Sequence, residues 1–231
     1  MTTSTTGGRG RIAATVSLLG ELLITLGLLL GLFVAYSLWW TNVIANRHEQ
    51  QASDQVREKW SQAPARGLDT QDGIGFLHVP AMGRDYEVLV KKGTSSKILN
   101  GGVAGYYTEP TPSALPWDRG GNFALAAHRD GHGAKFHDID RIHTGDAVVF
   151  ESKDTWYVYE VYKILDQTSQ YNVAVTDPVP TQSGTTRPGR YITLTTCTPV
   201  YTSRYRYVVW GVLVRTQKVD AQRTPPAELT R

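Results

Sequence analysis

The sequence predicts an all-β domain preceded by a single membrane-spanning helix. Seven short runs rich in Val, Ile, Tyr and Thr lie between residues 73 and 214, and most are bounded by Gly, Pro, Asp or Asn. No long helical period interrupts these runs, and a charge-free apolar stretch precedes them. Seven or eight strands in about 145 residues favour a β-sandwich or a closed barrel.

The apolar stretch Leu22–Trp40 carries no formally charged residue. About 20 apolar residues in a helix cross a hydrocarbon core of about 30 Å. Arg9 and Arg11 precede the stretch, and the pair Trp39-Trp40 ends it, so the positive-inside rule places the N-terminus in the cytoplasm. A cleaved signal peptide would have a shorter apolar run of about 7–15 residues and a small-residue cleavage site. The stretch therefore predicts an uncleaved anchor.

These patterns divide the chain into five segments. They are a cytoplasmic tail over residues 1–11, a transmembrane anchor over 12–43, an extracellular helical stalk and linker over 44–71, a catalytic or binding domain over 72–217, and a flexible C-terminal tail over 218–231. Good helix formers of mixed charge indicate the stalk, and a Pro/Gly-rich stretch indicates the linker. A short helix is expected over SSKILNG, with Ser95 or Ser96 as its cap and Gly101 as its stop.

The composition excludes nucleic-acid binding and draws attention to one cysteine. The chain of 231 residues has a net charge of +3, and no stripe of Lys and Arg interleaves with aromatic residues. An exported domain held by disulfides carries an even number of cysteines. Cys197 is alone in the chain, so it is either buried and inert or kept for its reactivity. Composition does not choose between the two.

Cys197 ends a run of β-formers in the stretch YITLTTCTPV. A thiolate nucleophile needs a base or a cation beside it and a group that stabilises the oxyanion. The next strand follows after a short loop, and this hairpin returns the chain from Arg204 to Arg206 close to Cys197. Arg204 and Arg206 would lie on the same side of that strand, so periodicity does not choose between them.

A histidine is the remaining requirement for such a nucleophile. Of six histidines, His128 ends the apolar strand FALAAH, the same strand-end position as that of Cys197. This match favours His128 as the base. His128, His132 and His137 could also be interpreted as metal ligands, but Gly131 and Gly133 argue against the helix that an H-x-x-x-H metal site requires.

Three of these segments resemble the sortase family. YITLTTCTP resembles the TLxTC signature of sortases, FALAAHRDGHGAKF their histidine segment, and SRYRYVVWG their arginine-bearing strand. The anchor and HRDGHGAKFHDIDRI are most similar to class E sortases of high-GC Gram-positive bacteria. The resemblance covers the anchor and residues 72 to 215, and it implies a closed eight-stranded β-barrel with short helices.

The resemblance also implies roles for individual residues. Cys197 corresponds to the nucleophile, His128 to the general acid/base, and Arg206 to the arginine beside the oxyanion. Arg206 is chosen over Arg204 because the functional arginine of related sortases follows the cysteine by nine residues. Thr196 and Tyr106 correspond to substrate-binding positions, and Tyr106 in AGYYTEP replaces a histidine that many relatives carry.

The implied activity is transpeptidation on the outer side of the cell membrane. The expected partners are secreted proteins with a C-terminal LAxTG- or LPxTG-like sorting signal and an amine of a peptidoglycan precursor as acceptor. No cofactor is expected. Asp138, Asp140 and Asp146 lie in loops, where aspartates are more often solvated turn formers, so no calcium or other metal site is predicted.

Three other functions fit parts of the sequence. A class C-like pilin polymerase would carry a DPW-like lid and a second membrane span, whereas this chain has ALPWDRGG and no second apolar span. A cysteine peptidase would use the same residues but release the acyl group to water. A membrane-anchored binding domain would keep Cys197 shielded and uncoupled from His128.

Overall fold

Alternating apolar and polar residues form eight strands, which close into a barrel in this computed structural model. The structure describes residues 7–62 and 72–230. The strands are β1 (Gly75–His78), β2 (Glu87–Lys92), β3 (Ala104–Tyr106), β4 (Gly121–Ala126), β5 (Ala147–Glu151), β6 (Thr155–Ser169), β7 (Arg190–Thr198) and β8 (Tyr205–Lys218). The helices are α1 (Gly7–Gln62) and α2 (Ser96–Leu99), with 3₁₀ turns at Pro80–Met82, Ile139–Arg141, Val173–Thr176, Thr181–Ser183 and Ala227–Leu229. The predicted closed eight-stranded barrel is confirmed.

The strand order around the barrel is β1-β2-β3-β4-β7-β8-β6-β5, and β5 pairs with β1 to close it. The pairs β2/β3 and β4/β7 are parallel, and the other pairs are antiparallel. The parallel pairing brings the ends of β4 and β7 to the same edge of the barrel. The two strand ends that carry the predicted histidine and cysteine therefore lie side by side.

Alternate side chains fill the barrel interior. Each strand has its inward residues two apart, as the pleat of a β-strand requires. Fully buried examples are Leu77, Val88, Val90, Phe123, Leu125, Val148, Phe150, Tyr159, Ile192, Leu194 and Val209. Burying one such side chain contributes about 1.5–3 kcal/mol, so this core supplies most of the stabilisation of the barrel.

All seven runs that the sequence marks as strands are strands in the structure. The eighth strand, β3, was not among them because its three residues are too few to show a period of two. The predicted short helix is present as α2, with Ser95 at its N-cap.

The helix α1 extends over the predicted anchor and the predicted stalk. The chain divides into two units, of which the first ends at Trp40 and the second begins at Thr41. In the first unit, α1 contains an 18-residue window with a mean hydropathy of 2.3 and no buried residue, so it is long and apolar enough to cross a membrane. This finding concerns length and composition alone.

The part of α1 in the second unit packs on the outside of the barrel. Val56 and Trp60 are buried against Phe76, Leu89 and Val103. The rings of Trp60 and Phe76 meet edge to face, with their centroids 5.4 Å apart. The expected stalk is thus a helix attached to the barrel. Of the expected linker, residues 63–71 lie outside the described residues, as do residues 1–6 of the expected tail.

The C-terminal segment differs from the expected flexible tail. Val219 and Leu229 pack against a small apolar cluster on β5 and β6. Arg223 forms an ion pair with Glu151, 2.5 Å from Nη2 to Oε1. A polar, Pro-containing sequence predicts a loose tail. In the folded chain, however, Arg223 of this segment pairs with the buried carboxylate of Glu151 and holds the segment on the barrel.

Candidate active site

Cys197 lies near the end of β7 on the outer face of the barrel. Ile192 and Leu194 belong to the core, so the alternating residues Thr195 and Cys197 face outward. Cys197 is half-buried, and its thiol is free. A covered but accessible thiol at a strand end suits a nucleophile that a substrate must reach.

Arg206 stands directly across from Cys197. The antiparallel pairing of β7 and β8 sets Cys197 opposite Arg206. Tyr207 and Val209 are core residues, so Arg206 shares the outer face with the cysteine. Nη1 of Arg206 donates hydrogen bonds to the carbonyl oxygens of Ser203 at 2.9 Å and Tyr205 at 3.0 Å, which orient the guanidinium.

His128 lies level with Cys197, two residues beyond the end of the neighbouring strand β4. In the parallel pair β4/β7, Ala126 is opposite Thr195, and His128 and Cys197 each follow two residues later. The hydroxyl of Thr196 donates to the carbonyl oxygen of Ala127 at 2.7 Å and extends the pairing beyond the end of β4. The fold therefore brings the predicted cysteine, histidine and arginine together on one face.

Two side chains contact the imidazole of His128. Nε2 donates to Oδ1 of Asn100 at 2.8 Å, which leaves Nδ1 as the basic nitrogen of the neutral ring. The ring of His132 lies with its centroid 5.3 Å away. Burial lowers the pKa of His128, the charge of His132 lowers it further, and Asp130 opposes the shift. His128 is therefore held mainly in its neutral form at pH 7.

Tyr107, directly after β3, borders the same site. Its hydroxyl lies 2.9 Å from Oγ1 of Thr195, on the outer face. Burial raises the pKa of Tyr107, while the charge of Arg206 lowers it and that of Cys197 raises it. The phenol thus interacts electrostatically with both the cysteine and the arginine.

Thr196 and Tyr106 do not reach this face, so the structure does not support their predicted contact with substrate. The side chain of Tyr106 belongs to the barrel core and is 6% exposed. Thr196 is 3% exposed, and its hydroxyl is engaged with the backbone of Ala127. Because β3 has only three residues, it shows no alternation from which Tyr107 could be preferred over Tyr106.

The two residues after His128 hold the surrounding loops together. Arg129 is buried, donates to Oγ1 of Thr198 at 3.0 Å and pairs with Asp140 at 3.2 Å. Oδ2 of Asp130 accepts from the backbone N–H of Tyr201 at 2.6 Å. Both contacts join the histidine segment to the end of β7 and its following loop. Their sequence signal is the triplet HRD at residues 128–130.

A group of potential metal ligands lies elsewhere, at His78, Glu87 and Glu151. Within residues 7–62 and 72–230 it is the one such group. Two arginines pair with its carboxylates: Arg57 with Glu87 at 2.6 Å and Arg223 with Glu151 at 2.5 Å. Because these cations balance the negative charge, the group is better explained as an ion-pair network than as a cation site.

The comparisons with known proteins agree with this geometry. The family model described as "Sortase domain" matches residues 77–214. Sortase SrtE2 of Streptomyces coelicolor is 62% identical over 97% of this chain and 94% of its own length. The chain therefore belongs to the sortase family, whose members are cysteine transpeptidases.

Solved structures point to the same class within the family. A crystal structure of sortase E1 from Streptomyces coelicolor, with a tripeptide in its active site, has a TM-score of 0.64 and 43% identity over 71% of this chain and 99% of that one. Sortase E from Streptomyces avermitilis has a TM-score of 0.60 and 35% identity over 68% and 96%. The resemblance to class E sortases is confirmed.

Proposed function

We propose that this sortase cleaves an LAxTG- or LPxTG-like sorting signal between Thr and Gly and joins the Thr carbonyl to an amine of a peptidoglycan precursor. Cys197 is the nucleophile, His128 the general acid/base and Arg206 the cation beside the oxyanion. The observation that carries the proposal is the alignment of Cys197 opposite Arg206 on β8 and level with His128 beyond β4.

In the first half-reaction, Sγ of Cys197 attacks the carbonyl carbon of Thr. The thiol proton passes to Nδ1 of His128, because Asn100 occupies Nε2. Arg206 stabilises the negative charge that develops on the carbonyl oxygen. His128 then donates the proton to the leaving Gly nitrogen, the C–N bond breaks, and a thioester remains on Cys197.

In the second half-reaction, the acceptor amine attacks the thioester carbon. His128 removes a proton from the attacking nitrogen, a new amide bond forms, and the C–S bond breaks with return of the proton to Cys197. The lowered pKa of His128 suits this step because the neutral imidazole is the form that accepts a proton. Arg206 keeps its charge at any working pH.

The N-terminal half of α1 supports a membrane anchor with the barrel on the outer side, where exported substrates arrive. Asn42 contacts the barrel through the backbone N–H of Gly133. We therefore place the end of the proposed anchor at Trp40 and not at residue 43, and we begin the stalk at Thr41. The catalytic domain extends beyond residue 217 to include the packed C-terminal segment.

Intact-mass spectrometry of the full chain in detergent, mixed with an LAxTG peptide, tests this function. The expected result is a mass increase equal to the N-terminal part of the peptide, lost again when an amine is added and replaced by an amide product. Cys197→Ala should give no adduct, and an LPxTG peptide under the same conditions tests the preference between the two signals.

Two outcomes would contradict the proposal. An adduct that water discharges as fast as the amine would indicate a peptidase. Absence of an adduct with both peptides, together with a Cys197 that iodoacetamide does not modify, would indicate an inert cysteine.

A further inference from the structure

The stalk part of α1 contacts Gly102 and Gly133. These glycines lie close in sequence to Asn100 and His132, whose side chains contact the imidazole of His128. Gly102 follows Asn100 by two residues, and Gly133 follows His132 directly. Both have positive φ, +73° and +84°. A Cβ atom on Gly102 would lie 2.8 Å from the carbonyl oxygen of Ala45, closer than such atoms approach. Gly102 therefore lets the helix backbone come close to its segment, and a Cβ atom on Gly133 would lie 3.0 Å from Oδ1 of Asn46 on the same helix.

Ala45 lies beside both glycines. It is 1% exposed, and a Cβ atom on Gly133 would lie 3.6 Å from the Cβ of Ala45. One helical residue thus lies next to the segment that carries Asn100 and the loop that carries His132. Any displacement of the helix at Ala45 would therefore move both Asn100, which accepts the hydrogen bond of His128, and His132, whose ring lies beside it.

Two polar contacts fix the same loop to the helix. The backbone N–H of Gly133 donates to Oδ1 of Asn42 at 2.9 Å. Nζ of Lys135 pairs with Oε2 of Glu49 at 3.3 Å, and both side chains are largely covered, at 16% and 12% exposed. Oε1 of Glu49 also accepts the backbone N–H of Leu89 at 3.2 Å, which ties this carboxylate to β2.

The loop needs such support because its backbone is strained. His132 and Ala134 have φ of +47° and +43°, and Gly131 and Gly133 are also in the positive region. Left-handed conformations are unfavourable for residues with a Cβ atom, and they persist where surrounding contacts impose them. The contacts from α1 are of that kind.

We propose that Asn42, Ala45 and Glu49 are positioning residues for His128, which act through Asn100 and His132. The inference rests on the proposed function of His128. Attachment of the helix does not depend on these three residues, because Val56 and Trp60 bury it on the barrel further along. The stalk thus has two parts, one that attaches α1 and one that sets the geometry of the acid/base.

The test uses the full chain in detergent, with Asn42→Ala as the main variant. Alanine has the higher helix propensity, so a loss of activity would not come from a weaker helix. Asn42→Asp keeps the acceptor for the N–H of Gly133, and Gln51→Ala on the exposed side of α1 is the matched control. Amide hydrogen exchange over residues 131–135 and the pH profile of thioester formation are measured for each.

We expect Asn42→Ala to accelerate exchange in the loop, to lower kcat about three- to tenfold, and to move the acid limb of the profile. KM should change little, and Asn42→Asp should restore both properties. Unchanged exchange, or faster exchange with unchanged kcat and pH profile, would overturn the inference.

The proposed function can fail separately. If the wild type forms no thioester with any peptide, the proposed function is wrong, and the pH dependence of Cys197 alkylation by iodoacetamide decides the inference. Asn42→Ala must then shift the alkylation profile from that of the wild type toward that of His128→Ala. A profile identical to that of the wild type would reject it.

Discussion

Two polar clusters of this molecule differ in how completely their charges are paired. Around Glu151, three cationic or ionisable partners surround one buried carboxylate: Arg223 at 2.5 Å, His78 at 3.0 Å and Arg57 at 3.5 Å. Around His128, one neutral amide accepts a hydrogen bond, and a second imidazole lies against the ring. The first cluster is saturated with opposite charge, and the second is not.

The pKa directions express the same difference. Burial alone would raise the pKa of Glu151, but the hydrogen bonds from His78 and Arg223 and the charges of Arg57 and Arg223 together lower it. Burial and His132 lower the pKa of His128. The protein therefore stabilises the charged form of Glu151 and destabilises that of His128. A permanently charged, fully paired carboxylate stabilises the fold, whereas a group that loses its proton easily is suited to acid/base chemistry.

The largest expected effect is on the rate of thioester formation, when the imidazole of His128 is replaced. His128→Gln should slow thioester formation by about 10²–10⁴-fold, the usual contribution of a general acid/base. Stopped-quench mass spectrometry of the adduct measures the rate. His143→Gln is the control, because the side chain of His143 is 81% exposed and pairs only with Asp146 among the ion pairs of the described residues. Equal rates in the two variants would contradict the assignment.

The next largest effect is expected on the free energy of unfolding, when the ion-pair cluster around Glu151 is disrupted. Glu151→Gln leaves Arg223, Arg57 and His78 without their buried partner and should lower the free energy of unfolding by about 3 kcal/mol. Glu160→Gln on the exposed face of β6 should have little effect. Denaturation followed by tryptophan fluorescence gives both values.

The same variant has an expected pH dependence. Because the pKa of Glu151 is lowered by folding, its contribution is present above the ordinary carboxyl value of 4.5 and is lost as pH falls through the lowered pKa. The difference between wild type and Glu151→Gln should therefore shrink below about pH 4. A difference that stays constant down to pH 2 would show that the loss is not electrostatic.

A smaller effect is expected from Asn100, which accepts a hydrogen bond from the imidazole proposed as the acid/base. Asn100→Ala removes the hydrogen bond to Nε2 of His128 and should lower kcat/KM about tenfold. Asn100→Asp should restore the orientation and, since its carboxylate favours imidazolium, move the acid limb to higher pH. If Asn100→Ala behaves as the wild type, His128 is oriented by other groups.

The smallest effect concerns the second imidazole. His132→Ala removes a like charge that lowers the pKa of His128. The pKa of His128 should therefore rise, and the acid limb of the kcat/KM profile should move to higher pH. His48→Ala, an exposed change on α1, should leave the profile in place. A shift to lower pH in His132→Ala would contradict the electrostatic account.

The sequence predicted the local features of this protein better than its long-range contacts. Alternation identified seven strands, and the strand-end positions of His128 and Cys197 indicated the site. Asn100 and Tyr107 were missed because they meet their partners across 28 and 88 residues. The packing of Arg223 was missed for the same reason, since Glu151 lies 72 residues earlier. Periodicity shows which face a residue occupies but not which distant segment covers it.

The substrate-binding predictions show a second limit. Thr196 fits a signature position, but its hydroxyl bonds to the backbone of Ala127 inside the barrel. Tyr106 and Tyr107 are adjacent in sequence and point to opposite faces, and a strand of three residues does not reveal which one faces outward. A motif position indicates a segment, whereas the pleat of the strand determines which of its residues faces outward.

The comparison between the two clusters is tested most directly by measuring thioester formation and thermal unfolding in both His128→Gln and Glu151→Gln. The difference in charge pairing predicts that His128→Gln loses thioester formation and keeps its melting temperature to within a few degrees. It predicts that Glu151→Gln melts earlier but, assayed well below its transition, forms the thioester at nearly the wild-type rate. The opposite pattern, a stable but inactive Glu151→Gln and an unstable but active His128→Gln, would contradict it.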